Sequence, residues 1–165
     1  MTKAVLSLGS NMGDRLAFLR LAVEGFQDVL EKASPVYETA PWGVEDQPDF
    51  LNAVLLVSSP SVDEWGWLAR GQALEQAAGR IREQRWGPRT LDVDVVTVAG
   101  VTSDHPDLLL PHPGTPTRAT VLIPWLAVDP EAELPGHGRV ADLLATLPEA
   151  DREAVHERKD LHLLS

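Results

Sequence analysis

The sequence predicts one domain that mixes β-strands with helices, and three observations carry this. The chain has 165 residues, enough for a single sizeable core. Short apolar, β-prone runs recur at 4–8, 50–57 and 93–98, each of strand length. Between them, segments at 16–30 and 64–78 carry apolar residues at helical spacing.

The elements follow in order. Residues 4–8 read as a buried strand. Gly9-Ser10-Asn11-Met12-Gly13-Asp14 then makes a tight turn rich in glycine and capping residues. Such a strand-to-helix loop can bind phosphate through backbone N–H groups. GSNMGD lacks the Walker lysine and the G-x-G-x-x-G spacing, so by itself it reads as a structural turn. Leu16, Leu19, Val23, Phe26 and Leu30 then form one apolar helical stripe.

Residues 34–38 read as a short strand and 39–48 as a loop, set by Pro41, Gly43 and Pro48. Trp42 in that loop is either a stacking surface or an anchor packed on the core. In the strand over 50–57, Phe50 and Asn52 share a face because side chains alternate. Asn52 inside an apolar run needs partners. Neighbouring backbone or a ligand with amide-like edges would each supply them.

Ser61 and Glu64 form a capping-box pattern after Pro60. The helix they start carries Trp65, Leu68, Leu74 and Ala78 and stops at Gly79. Glu75 lies on it one turn before an arginine-rich loop, placed to contact a ligand or pair with an arginine. Residues 100–109 are turn-rich, and His112 is fixed between Pro111 and Pro113. Arg118 precedes an apolar run over 120–128 that includes Trp125. A loop at 130–138 and a short helix at 140–147 follow. The charged tail after about 148 reads as peripheral and partly mobile.

The chemistry concentrates in RIREQRWGPRTLDVDVVTV, residues 80–98. Arg80, Arg82, Arg85 and Arg89 surround a stiff Trp86-Gly87-Pro88 turn. Asp92 and Asp94 come next, two apart on a strand, so both face one way with Cα atoms roughly 6–7 Å apart. Two carboxylates held that close need a cation, a shared proton or good hydration. Mg²⁺ suits them, because it takes one or two carboxylates plus substrate phosphates. Guanidinium forks match phosphate oxygens bidentately. A lone D-x-D fits a solvated edge strand better than a site. Joined to the arginines, it points to phosphoryl transfer.

Bulk properties narrow the classes. The net charge is −11, which argues against nucleic-acid or anionic-membrane binding. With no cysteine, thiol catalysis and Cys-based zinc sites are excluded. No run is long and apolar enough for a signal peptide or a membrane span, so the expectation is a cytoplasmic enzyme.

Five blocks occur in order: LGSNMGD, YETAPWG, DQPDFLNAV, GRIREQRWGPRTLDVDVV and LPHP…R…VLIPWLAVDP. Together they resemble the 6-hydroxymethyl-7,8-dihydropterin pyrophosphokinase family of the folate pathway, over about 5–130. The resemblance implies a ferredoxin-like α+β sandwich, an antiparallel sheet with helices on its outer faces, in one catalytic domain spanning 1–165. It implies a stand-alone, monomeric enzyme that moves pyrophosphate from ATP to the pterin hydroxymethyl oxygen and releases AMP.

Residue by residue, it implies two Mg²⁺ ions bridging the ATP phosphates to Asp92 and Asp94, with Arg80 and Arg89 stabilising the phosphates. Glu75, Arg82, His112 and Arg118 fall on nucleotide-site positions, and Trp86 on a loop that closes over the site. Phe50 and Asn52 match the residues that stack on and read the pterin, and Thr39, Pro41 and Gly43 line its loop. One departure is Thr120, where the family usually places a second stacking aromatic. Trp42 is the candidate to compensate. Two rival readings are a catalytically silent nucleotide-binding module and an Mg²⁺-dependent phosphotransferase with another acceptor. Keeping the aspartates and arginines together opposes the first. Phe50, Asn52 and the YETAPWG block oppose the second.

Overall fold

The computed structural model describes residues 2–39, 49–79 and 90–164. Its strands are β1 (Thr2–Ser10), β2 (Leu30–Ala33), β3 (Tyr37–Thr39), β4 (Phe50–Ser59), β5 (Asp92–Val98), β6 (Ser103–His105), β7 (Leu108–Leu110), β8 (Glu133–Leu134), β9 (Gly138–Arg139) and β10 (His156–Glu157). Its helices are α1 (Arg15–Gly25), α2 (Glu64–Ala77), α3 (Ala119–Val128), α4 (Val140–Thr146) and α5 (Glu149–Glu153).

The main sheet runs β10-β3-β4-β1-β5, with β2 also on β4, and every pairing in it is antiparallel. Alternation divides β1 between two cores. Ala4, Leu6 and Leu8 join Leu19, Val23 and Phe26 of the α1 segment and Trp67 of α2 on one face. Val5, Val54 and Val96 meet Leu122 and Trp125 of α3 on the other. The sheet therefore carries helices on both faces, which is the mixed α and β architecture expected.

Several elements begin or end elsewhere than the sequence reading placed them. The apolar stripe over 16–30 is not all helix. α1 stops at Gly25, and Leu30 already pairs with Val57 in β2. The strand expected at 34–38 is displaced to β3, because Pro35 has no N–H to give a ladder. Ser34 bridges the gap: its N–H donates to the Val54 carbonyl and its Oγ accepts from the Val54 N–H, both at 2.9 Å. The N-cap of α2 is Asp63, whose Oδ1 accepts from Gly66 N–H at 2.7 Å. Ser61 instead turns its N–H to Ser59 Oγ. Trp65 is 41% exposed, and Trp67 is the tryptophan of α2 that fills the core.

The segment after Pro148, read as peripheral and partly mobile, is built into the sheet. β10 supplies its outermost strand, pairing His156 with Glu38 and Glu157 with Tyr37. Arg158 N–H donates to the Val36 carbonyl at 2.8 Å, and Leu163 is buried in the α1 core. The exposed edge of β3 supplies the physical reason, since unpaired strand edges recruit a partner.

That docking brings two guanidinium groups to Glu38. Arg15 Nη1 lies 2.6 Å from Oε2, and Arg158 Nη1 lies 2.8 Å from Oε1. Partial burial works to raise the Glu38 carboxyl, but the arginine hydrogen bonds outweigh it and hold it below its ordinary 4.5. A depressed carboxylate stabilises the fold above its unfolded value and loses that contribution as pH falls through the folded one. The thermal stabilities of wild type and Glu38→Gln are therefore expected to differ at pH 7 and to converge as pH falls below about 4.5. Melting curves of both proteins between neutral and acid pH check this.

Candidate active site

The sheet register alone brings the predicted residues together. Tyr37 pairs with Asn52, Asn52 with Gly9, and Gly9 with Asp92. Directly paired residues on neighbouring strands share a face, so these four form one row across β3, β4, β1 and β5. Thr39, Phe50, Ser7 and Asp94 extend it by alternation. This is the face that carries α3 at its other end, on Val5, Val54 and Val96.

The amide end of the row is preorganised. Asn52 Nδ2 donates to Thr39 Oγ1 at 2.9 Å, and both residues are buried. Among the described residues the partner of Asn52 Nδ2 is thus a side chain. Gly9 completes the geometry by lacking a side chain. A Cβ there would sit 3.5 Å from Asn52 Oδ1 and 3.6 Å from Phe50 Cδ1. The bare backbone leaves a floor between an amide, an aromatic ring and Asp92.

The carboxylate end is held from behind. Glu75, 2% exposed, accepts the Val93 N–H through Oε2 at 2.8 Å. Val93 lies between the two aspartates, so this bond fixes the strand that carries them. Gly71 lets α2 approach closely enough, since a Cβ at that position would lie 2.9 Å from Val93 Cγ1. Gly71 and Glu75 are one helical turn apart on one face.

Burial, followed by repulsion from Asp92 and Glu75, pushes the Asp94 carboxyl well above its ordinary range, and Arg118 opposes the rise. An added cation would relieve this crowding of carboxylates. Among the described residues no group of three or more His, Cys, Asp or Glu side chains is placed to hold a metal ion. A cation on the two aspartates would take its remaining ligands from substrate or water.

The fourth side is the segment after β7. Leu110–Pro111 is a cis peptide, and His112 N–H donates to the Val96 carbonyl of β5 at 2.9 Å. Gly114 N–H donates to His112 Nδ1, which leaves the ring hydrogen of the neutral imidazole on Nε2. Burial and then Arg118 lower the His112 pKa, against a raising effect of Asp92. Arg118 lies over Gly114, where a Cβ would fall 2.6 Å from its Cζ.

The structure thus gathers Thr39, Phe50, Asn52, Asp92 and Asp94 on one face of the sheet, with Arg118, His112 and Glu75 near the aspartates. The remaining predicted residues, Pro41, Trp42, Gly43, Arg80, Arg82, Arg85, Trp86 and Arg89, lie outside the described residues. Sequence reading placed Gly9 in a turn, whereas it belongs to β1, and passed over Gly71 and Gly114. An interior helix glycine such as Gly71 was the available signal, because it costs about 1 kcal/mol against alanine and asks for a packing reason.

Comparison with known proteins follows this geometry. Residues 5–130 match the family model of 7,8-dihydro-6-hydroxymethylpterin-pyrophosphokinase (HPPK). The chain is 50% identical to the 2-amino-4-hydroxy-6-hydroxymethyldihydropteridine pyrophosphokinase of Mycobacterium tuberculosis (strain ATCC 25618 / H37Rv), over 94% of this chain and 89% of that protein. It is 36% identical to the protein of the same name from Bacillus subtilis (strain 168), over 92% and 87%. Among solved structures it resembles Plasmodium falciparum HPPK-DHPS wild type with STZ-DHP, with a TM-score of 0.68 at 15% identity, covering 87% of this chain. The match spans 43% of that chain, so this likeness concerns the fold of one part of a longer protein.

Proposed function

The chain belongs to the 7,8-dihydro-6-hydroxymethylpterin-pyrophosphokinase family, and from that premise we propose how its residues divide the work. The enzyme transfers pyrophosphate from ATP to 6-hydroxymethyl-7,8-dihydropterin, giving AMP and the pterin diphosphate in folate biosynthesis. The observation that carries the division is the row from Thr39 to Asp92. It places an amide and a ring beside two carboxylates on one face of the sheet.

Asn52, oriented by Thr39, reads the amide-like edge of the pterin, and Phe50 stacks on its ring. Gly9 leaves room for the bicycle, and in this reading its hydroxymethyl group points toward Asp92 and Asp94, which the register supports. These aspartates would hold Mg²⁺, two ions in this reading, on the strand fixed by Glu75. Metal bound there would supply positive charge to the triphosphate and orient it for in-line attack. Arg118 and the Nε2–H of His112 face the same space and contact the nucleotide. Arg80, Arg82 and Arg89 supply further positive charge to the phosphates, with Trp86 on the same loop. Pro41, Trp42 and Gly43 complete the pterin side. Asp94 is the candidate to receive the hydroxyl proton, because it shares the face of the sheet with Asp92 and the pterin residues.

The finer fold assignment belongs to the same reading. The order β3-β4-β1-β5, with α1 and α2 on one face, supports a ferredoxin-like sandwich. A single catalytic domain, acting as a cytoplasmic monomer, is the corresponding proposal. No helix among the described residues is long and apolar enough to cross a membrane.

Thr120, half-buried in the first turn of α3, offers no ring to the pterin. Thr120→Phe is expected to lower the pterin KM several-fold without changing the ATP KM, since an aromatic pair contributes about 0.5–1.5 kcal/mol. Steady-state kinetics with each substrate varied in turn test this. An unchanged pterin KM would remove Thr120 from the pterin site. The metal assignment is tested by Mg²⁺ titration beside a non-hydrolysable ATP analogue. Two ions per chain are expected for wild type, and fewer for Asp92→Asn or Asp94→Asn. Undiminished binding in both variants would overturn it.

A further inference from the structure

Glu38 and its two arginines are not accounted for by the reaction, yet Glu38 pairs with Leu51 and so lies on the face of the sheet directly behind Thr39, Asn52 and Phe50. Glu38 precedes Thr39, and Thr39 both pairs with Phe50 across the ladder and orients Asn52. Arg15, at the first position of α1, reaches two partners with one nitrogen. Nη1 donates to Glu38 Oε2 at 2.6 Å and to the Asp49 carbonyl at 2.9 Å. Asp49 precedes Phe50. One guanidinium therefore ties β3 and β4 together immediately beside the residues that form the pocket.

The other oxygen of Glu38 is held by the C-terminal segment. Arg158 Nη1 donates to Oε1 at 2.8 Å. Asp160 orients that guanidinium from its far side, accepting Nε–H at 3.0 Å and Nη2–H at 2.8 Å. The segment is attached at further points, through the pairing of β10 with β3 and through Arg20 Nε–H to the His162 carbonyl at 2.8 Å. The chain Asp160–Arg158–Glu38–Arg15–Asp49 thus runs from residues beyond the family match at 130 to the stem of the pocket. Exposed ion pairs contribute little individually. These are partly buried, and two arginines share one carboxylate, an arrangement that fixes geometry more than it adds energy.

We propose that Arg15, Glu38 and Arg158 are positioning residues for the pterin pocket, through which the C-terminal segment sets the spacing of Thr39, Asn52 and Phe50. This rests on the assignment of Asn52 and Phe50 to the pterin. None of the three touches substrate. They act by fixing the two strands from which the pocket residues project. Loosening the stem disturbs the pterin side, while Asp92 and Asp94 on β5, across β1, keep their places.

The test is steady-state kinetics of the full chain as wild type, Glu38→Gln, Arg15→Gln, Arg158→Gln and Asn52→Ala. KM is measured separately for 6-hydroxymethyl-7,8-dihydropterin and for ATP. Glu38→Gln and Arg15→Gln are expected to raise the pterin KM about tenfold, the scale of a sub-ångström to ångström misplacement, with the ATP KM and kcat little changed. Arg158→Gln shifts it in the same direction, and Arg158→Lys restores part of the loss. A merely structural role would lower the melting temperature without separating the two KM values. Should Glu38→Gln not fold, the more exposed Arg158 (32% at its side chain) carries the same comparison. Wild-type pterin KM in the clamp variants, with a raised value in Asn52→Ala, overturns the proposal alone. Wild-type pterin KM in Asn52→Ala overturns the pocket assignment and the proposal with it.

Discussion

Asp92→Asn and Asp94→Asn are each expected to lower kcat by about 10³-fold while leaving the protein folded, the scale of losing several kcal/mol of transition-state charge stabilisation. The reason lies in the sheet. Gly9 and Ser7 of β1 pair with Asp92 and Asp94, and Glu75 holds the intervening Val93 N–H. The strand is thus braced on two sides, and an isosteric amide has no cause to unfold it. Burial and the neighbouring carboxylates disfavour the charged form of Asp94, so the melting temperature of unliganded Asp94→Asn is expected to hold or rise. Activity and stability should move apart, as expected of residues retained for a ligand. A near-normal single-turnover rate in Asp94→Asn, with both substrates bound, would remove Asp94 from proton transfer and metal binding alike.

Trp67→Ala is expected to carry the largest stability loss, about 3–5 kcal/mol. Trp67 is fully buried and heads the large side chains of the core. Its ring lies 6.5 Å from that of Phe26, centroid to centroid, where α1, α2 and the sheet meet. Truncation leaves a cavity beside Phe26, whose ring is also held by Arg70, with Cζ 5.2 Å from the centroid. At roughly 2–4 °C per kcal/mol for a chain of this size, the melting temperature should fall by about 6–20 °C. Trp67→Phe should cost far less. The indole Nε1–H is buried without a hydrogen-bond partner, so replacing it also removes an unsatisfied donor. Thermal melts of the two variants separate packing from polarity. Equal losses in both would contradict this account of the core.

The parts of the fold legible in the sequence were those that local periodicity encodes. β1, β4 and β5 fall where apolar runs predict them, and the alternation of Asp92 and Asp94 against Val93 and Val95 holds. What could not be read depends on distant neighbours. No local pattern distinguishes Trp65 from Trp67, because only the position of the sheet decides which is buried. The incorporation of β10 depends on an edge of β3 more than a hundred residues earlier, and its charged sequence conceals a strand. Pro35, by contrast, was legible and overlooked, since a residue without N–H predicts the break that Ser34 repairs.

The candidate site divides similarly. Acids and amides announce themselves as polar residues within apolar strands, so Asn52, Asp92 and Asp94 stand out in the sequence. The residues that shape space around them are glycines, and a missing side chain leaves no trace in composition. Gly9, Gly71 and Gly114 acquire meaning once Phe50, Val93 and Arg118 are seen to lie where their Cβ atoms would be. Glu75 was noted as a contact for a ligand or for an arginine. The structure gives it a backbone partner between the aspartates, a role that only the packing of α2 on β5 reveals.

The most direct test of the central claim is the product of the reaction. Purified protein is supplied with ATP, Mg²⁺ and 6-hydroxymethyl-7,8-dihydropterin, and AMP is resolved from ADP. The account predicts AMP that forms only when the pterin is present, in step with the pterin diphosphate, and that disappears in Asp92→Asn. ADP as the product, or AMP released regardless of the pterin, would contradict it.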